Sequence, residues 1–269
     1  MVDEYSLAAL PIVLAFGETS LSTATAFVWQ QGDEYYLVTN WHNFSGWNAQ
    51  TGANLSRHGG RPDRVGVHML YAGPSGTVLG QKVLVVLPLK DDENKPLWWV
   101  HPAFGWDVDI AVLPIATEVY LHMRPINRMR TVPMRILMGS DVFVLGYPLS
   151  IAAPLLMPIW KRASLASEPD YRAREQPFLI DTATRKGMSG SPVIARNFGP
   201  YIDESTNMTI MGAGVTTRAI GIYSGRLTRT PENTNDETEE GGQLDAQLGL
   251  VWPLHLVEEI VAGRHRDSH

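Results

Sequence analysis

Short runs of β-branched and aromatic residues recur along the chain, separated by Gly, Pro, Asn or Asp. Segments 22–28 (STATAFV) and 35–41 (YYLVTNW) are the clearest, and Gln31-Gly32-Asp33 between them predicts a hairpin turn. Further strands are expected at 65–71, 77–87, 97–101 and 108–115, and then at 141–147, 157–165, 177–183, 191–196, 218–224 and 247–252. The apolar run 7–16, interrupted by Pro11, reads as a buried strand. It is too short for a bilayer, which takes about 20 residues. Only 253–262 (PLHLVEEIVA) has helical periodicity, with Leu254, Val257 and Val261 on one face. Pro253 stands at its start, where a missing N–H costs nothing.

Two stretches break this rhythm. Residues 116–140 carry Arg124, Arg128, Arg130 and Arg135 together with Pro125 and Pro133. They read as a solvated crossover between two halves, or as a docking surface for an acidic partner. Residues 231–246 hold Glu232, Asp236, Glu237, Glu239, Glu240 and Asp245 and no basic residue, as expected of a solvated loop or a partner-binding segment. No internal repeat is present. Many short strands, one terminal helix and a mid-chain connection predict two packed β-barrels.

Composition narrows the class. The chain has 269 residues, 44% hydrophobic and 19% charged, enough to bury a sizeable core. The net charge of −6 makes it a poor polyanion binder, so neither nucleic acid nor an anionic membrane is an expected partner. Cysteine is absent, which removes disulfides, thiolate metal sites and a thiol nucleophile together. The histidines show no HExxH spacing, so no metal is expected, and Gly212-Ala213-Gly214 opens no dinucleotide motif because Thr217 stands at the third glycine. No cofactor follows from the sequence. Asp3 and Glu4 occupy the place of a signal peptide's positive region, and the first basic residue is Arg57. A cytoplasmic location is the expectation, unless an upstream segment has been removed.

Three segments carry chemistry. His42 directly follows a strong strand, which would hold an imidazole rigidly as a general base. Taken alone, it could equally be a structural hydrogen-bonder. Asp109 heads a run that is apolar on both faces, where a carboxylate needs a partner such as an imidazole N–H. Taken alone, it could be a turn or cap residue. Residues 181–194 (DTATRKGMSGSPVI) are more specific. Gly187 and Gly190 bracket Ser189 and permit a tight turn that exposes its hydroxyl. The same turn can aim the amides of Gly187 and Ser189 at one point, as an oxyanion hole does. A hydroxyl is a weak nucleophile until a base takes its proton, and a carboxylate orients that base.

With all three present, the sequence resembles the trypsin-like, chymotrypsin-fold serine peptidases, in the style of their cysteine-free bacterial branch. Thr39-Asn40-Trp41-His42 matches the family's T-[AN]-x-H. Asp109-Ile110-Ala111-Val112 matches its acid followed by Ile-Ala. Gly187-Met188-Ser189-Gly190-Ser191-Pro192 matches G-x-S-G-[GS]-P. The order His, Asp, Ser is the family's own. Residues 22–28 resemble its G-[ST]-G-F-[VL] strand with alanines for glycines. Asp181 matches a bacterial pattern, 219–225 resembles the strand lining the primary specificity pocket, and 248–253 before a helix resembles the family's ending.

The resemblance implies an all-β fold of two antiparallel six-stranded β-barrels with a C-terminal helix. Residues 1–125 would carry His42 and Asp109, and residues 126–269 the nucleophile Ser189. It implies a serine endopeptidase acting through an acyl-enzyme on a protein or peptide substrate. Asp109 is the expected acid; Asp107 lies one period-2 step away and lacks the following Ile-Ala. Ala183, Thr184, Tyr223, Ser224, Gly225 and Arg226 map to the substrate-binding walls. Ala183 at the pocket floor does not support a Lys/Arg preference. Arg226 would favour an acidic P1 side chain, narrow the pocket for small ones, or point to solvent. Met188 replaces the Asp of zymogen-activated members, which puts that activation route in doubt, and reads as a packing residue. Trp41 is bulkier than the usual alanine. A latent protease switched by a protein activator or inhibitor, and a catalytically silent binding protein of the same fold, are the alternatives.

Overall fold

The computed structural model describes residues 2–49, 51–56, 59–73, 78–116, 121–169, 176–212, 214–229 and 244–269. The acidic stretch from 231 to 243 and residues 117–120 of the basic connection lie outside the described residues. A one-turn helix α1 (Glu4–Ala8) leads into β1 (Ala9–Phe16), β2 (Thr19–Gln31) and β3 (Glu34–Thr39). A second single turn, α2 (Trp41–Ser45), precedes β4 (Arg64–Ala72), β5 (Val78–Pro88) and β6 (Ala111–Ile115). These strands form one antiparallel sheet in the order β5-β4-β1-β2-β3-β6. After the connection come β7 (Asp141–Gly146), β8 (Ile159–Leu165), β9 (Phe178–Asp181) and β10 (Ser191–Phe198). The short hairpin β11 (Tyr201–Ile202) and β12 (Thr209–Ile210) is followed by β13 (Val215–Arg229), β14 (Leu244–Pro253) and helix α3 (His255–Gly263). Strands β7, β8, β9, β10, β13 and β14 close into a barrel. Of the two antiparallel six-stranded barrels expected, the second is closed; the first sheet's outer strands β5 and β6 are not paired to each other among the described residues.

The strand pattern decides where each face goes. Successive residues of a strand point to opposite faces. On β2, Ala24, Ala26 and Val28 enter the first sheet's core, while Phe27 and Trp29 enter a second cluster shared between the two halves. On β6 and its approach, Ala111, Leu113 and Ile115 go one way and Val108, Ile110 and Val112 the other. The barrel divides likewise: Val193 and Ala195 pack inside it, and Ile194 joins Leu145, Ile222 and the apolar face of α3 in the shared cluster. Among the described residues three core clusters form, and runs that are apolar on both faces serve two of them.

Some elements differ from the sequence expectation. Among the described residues 97–101 make only isolated bridges, Trp99 with Val112 and with Arg266 and His101 with Gly105, rather than a strand. The strand expected over 35–41 stops at Thr39, and Trp41 and His42 enter α2. The one-turn helices are too short for a 3.6-residue period to register. The chain ends exchange halves. Near the start, Asp3 pairs with Arg196 at 2.7 Å and Ser6 accepts from Trp160 Nε1 at 2.8 Å. Near the end, Val100 N donates to His265 O at 2.9 Å.

Candidate active site

The expected base and acid meet at the rim of the first sheet. The first amides of a helix have no intrahelical acceptor. In α2 the His42 amide donates to Asp109 Oδ1 at 3.0 Å, so Asp109 caps the turn that carries His42. Asn40, at the N-cap position, makes no side-chain cap and instead donates from Nδ2 to Asp109 O at 2.8 Å. The imidazole Nδ1 lies 2.7 Å from Asp109 Oδ2. The carboxylate is 3% exposed, and a third donor, Ser224 Oγ, reaches Oδ2 at 2.5 Å. Asp107 is exposed and makes none of these bonds.

Ser189 comes from the other half. Its turn is fixed by close approaches. Gly187 has φ +93°, and a Cβ there would overlap Tyr147 O. Gly190 has φ +82°, and a Cβ there would overlap Thr25 O and Thr39 Oγ1. Thr25 of β2 binds the turn twice: its amide donates to Ser189 O at 2.9 Å and its hydroxyl to Gly187 O at 2.9 Å. Thr39 Oγ1 in turn donates to Thr25 O at 2.8 Å. The strand expected from 22–28 thus ties the Ser189 turn to the first sheet, a role for Thr25 that sequence reasoning missed; its signal was a small polar residue amid an apolar run. Met188 is fully buried in the barrel core, as the packing reading holds. The amides of Gly187 and Ser189 donate to no other described residue. The Ser189 hydroxyl donates to Ser224 O at 3.0 Å and makes no hydrogen bond to His42. Ser224 therefore stands between the two halves, its hydroxyl on the acid and its carbonyl on the serine.

The pattern of a strand-borne sheet, a closed barrel and this grouping has a counterpart among known families: a family model described as a trypsin-like peptidase domain matches residues 24–199. The chain belongs to the trypsin-like peptidases. Solved structures similar to it include the inactive and active forms of Rv3671c protease from M. tuberculosis, at 16% and 17% identity. These matches cover 96% and 98% of this chain and 89% and 83% of those, with TM-scores of 0.45 and 0.46. The serine endoprotease from Yersinia pestis is similar at 15% identity over 97% of this chain and 66% of that one, with a TM-score of 0.45. No curated protein sequence matches.

In this trypsin-like chain the six residues mapped to substrate binding fall into two groups. Thr184 and Tyr223 are buried and hydrogen-bonded to each other through their hydroxyls. Burial pushes the Tyr223 hydroxyl above its ordinary pKa, so it stays protonated. Ala183 is half-buried next to Thr184. Ser224, Gly225 and Arg226 instead line a cavity of about 230 Å³ beside His42, together with Asp107, Leu250 and Trp252. Arg226 therefore does not share that cavity with Ala183. Among the described residues no three His, Asp or Glu side chains gather to hold a metal ion, and no helix is long and apolar enough to cross a membrane.

Proposed function

We propose that this chain is a serine endopeptidase that cleaves proteins or peptides through an acyl-enzyme formed on Ser189. The observation that carries this reading is the linked set of hydrogen bonds from His42 Nδ1 to Asp109, from Ser224 Oγ to the same carboxylate, and from Ser189 Oγ to Ser224 O. Asp109 holds the imidazole with its proton on Nδ1, leaving Nε2 to accept the hydroxyl proton. Ser189 Oγ attacks the scissile carbonyl, and the amides of Gly187 and Ser189 receive the oxyanion. Each such donor is worth about 10²–10³ in rate. His42 then protonates the leaving amine, and water repeats the sequence on the acyl-enzyme. Thr184 and Tyr223 shape the primary pocket above Ala183, and the backbones of Ser224 and Gly225 pair with the substrate. Arg226 lines the separate cavity beside His42, where it would favour an acidic side chain or narrow the space to small ones.

The hydroxyl held on Ser224 O favours a latent resting form. Attack requires Ser189 to leave that carbonyl, by rotation about its Cα–Cβ bond. A substrate amide, or a partner protein that reshapes the turn, supplies the competing donor. A fluorophosphonate probe tests the whole reading. Wild type should label and hydrolyse casein, weakly alone and faster with an activator, whereas Ser189→Ala should do neither. Absence of labelling under all conditions, in a folded protein, would leave a silent binding protein of the same fold.

A further inference from the structure

Past α3 the chain stays at the surface, with only Asp267 buried, but is bound along it. It turns at Arg264 (φ 47°) and lies back along the first half. Asp267 N donates to Trp98 O at 3.1 Å, and Arg266 pairs with Asp91 at 2.9 Å. The Asp267 carboxylate is 6% exposed. Its Oδ2 accepts from two indoles, Trp41 Nε1 at 2.8 Å and Trp98 Nε1 at 2.9 Å, and its Oδ1 accepts from His269 N at 3.2 Å. All three donors are neutral. A buried carboxylate with no cation paired to it among the described residues is unfavourable unless its hydrogen bonds are made, so the bonds to these donors are what keep it there.

The ring of His269 sits among three indoles, stacked on Trp41 and Trp106 at 5.9 Å each and on Trp47 at 6.1 Å. Trp41 and Trp106 also stack on each other at 5.5 Å. These tryptophans are placed where the site is built. Trp41 directly precedes His42, Trp47 follows the same helical turn, and Trp106 stands three residues before Asp109.

We propose that residues 264–269 form a clasp that sets the His42–Asp109 pair from behind, with Asp267 and His269 as positioning residues. The inference rests on the peptidase reading of the site and names what holds it. A single turn such as α2 has no stability of its own, so its orientation must come from packing and from bonds at its ends. In front, the bond between His42 N and Asp109 does this. Behind, the indole of Trp41 is fixed by one carboxylate, and the same tail segment stacks on the residue leading to the acid. Release of the tail frees both segments to shift, and a misplacement of about 1 Å in a catalytic group costs about 10²-fold in rate.

The test compares Asp267→Ala and His269→Ala with wild type, using kcat and KM per folded molecule and the downfield proton resonance of the His42 Nδ1–H. Asp267→Ala should lower kcat by about tenfold or more with KM changed by less than about twofold, and should shift or broaden that resonance. His269→Ala should move both readouts the same way, by less. An unchanged kcat and an unchanged resonance alongside a lowered melting temperature would overturn the proposal and leave the tail a stabilising strap. If Asp267→Ala does not fold, His269→Ala, which removes only ring stacking, decides by the same readouts. If wild type hydrolyses nothing, the peptidase reading fails, and the resonance alone judges the clasp.

Discussion

His42 and Asp109 lie on the first half and are joined by two direct hydrogen bonds, with Ser224 adding a third to the carboxylate. Ser189 lies on the second half, on a turn held by its backbone to Thr25, while its hydroxyl has one hydrogen-bond partner among the described residues, a carbonyl. The His42–Asp109 pair is over-determined. Ser189 has a backbone fixed by close approaches and a hydroxyl held by a single hydrogen bond among the described residues. That difference separates two kinds of requirement. A base needs one tautomer and one orientation throughout the cycle, whereas a nucleophile must form and lose a bond, so fixing its oxygen would oppose the chemistry. Substitutions in the first group should therefore damage kcat through tautomer and geometry, and those around the second should act on access to the attacking rotamer.

The sharpest way to break this comparison is Asp109→Asn. The amide can accept one bond but presents an NH₂ where His42 Nδ1–H now donates, which favours the wrong tautomer. The expected loss is about 10⁴ in kcat, with the fold retained at a cost of about 1 kcal/mol for the weakened cap on α2. Steady-state kinetics and thermal denaturation on the same preparation check both numbers. A loss below about tenfold would mean that the imidazole does not depend on this carboxylate.

Ser224→Ala should be milder. It deletes one of three hydrogen bonds to the acid and leaves the carbonyl that holds the Ser189 hydroxyl. We expect kcat/KM to fall about tenfold, the rate equivalent of about 1.4 kcal/mol, with the rate of fluorophosphonate labelling reduced in parallel. Labelling that speeds up instead would show that the Ser224 side chain restrains the nucleophile rather than supporting the acid.

These elements were unequally legible in the sequence. The strands of both halves stood out because β-branched runs alternate with Gly and Pro, and the doubly apolar run 108–115 gave away a segment between two cores. His42, Asp109 and Ser189 stood out as candidates because each sits in a short motif, and the structure hydrogen-bonds the first two to each other. What could not be read was what reaches across the chain. Ser224 looked like a substrate-pairing backbone position, and nothing local says that its hydroxyl meets Asp109, 115 residues away. Trp41 stood out only as bulkier than the usual alanine; it is fully buried, and its indole partner Asp267 lies 226 residues on, in a segment with no periodic pattern. Arg226 was mapped to the pocket walls by motif position alone; past a bulge near Gly225 in β13 it lines the cavity that His42 also lines, which no local pattern announces.

The smallest predicted effect concerns the ground beside the nucleophile turn. Lys82 of β5 reaches across to the second half, where its ammonium donates to Leu156 O at 2.6 Å and to Tyr147 Oη at 3.2 Å. Tyr147 O in turn borders Gly187. Partial burial lowers the Lys82 pKa from its ordinary 10.5 to about 8. Between those values the unfolded chain binds the extra proton and the folded chain does not, so stability rises with pH across the window and is lowest below it. Solvent screening keeps the gain to no more than about 2 kcal/mol. Buried tyrosines act with the opposite sign. Tyr5 is pushed up from 10.0 to about 12 by burial, so the unfolded chain loses that proton first and stability falls above pH 10. The two together predict a stability maximum near pH 10 in wild type. Lys82→Met should flatten the rise from pH 8 to 10 and keep the decline above it, as read from denaturant midpoints at each pH. Because Lys82 touches only the nucleophile side, the downfield His42 resonance should be the same in both proteins; a shifted resonance would mean that the two halves of the site are not held independently.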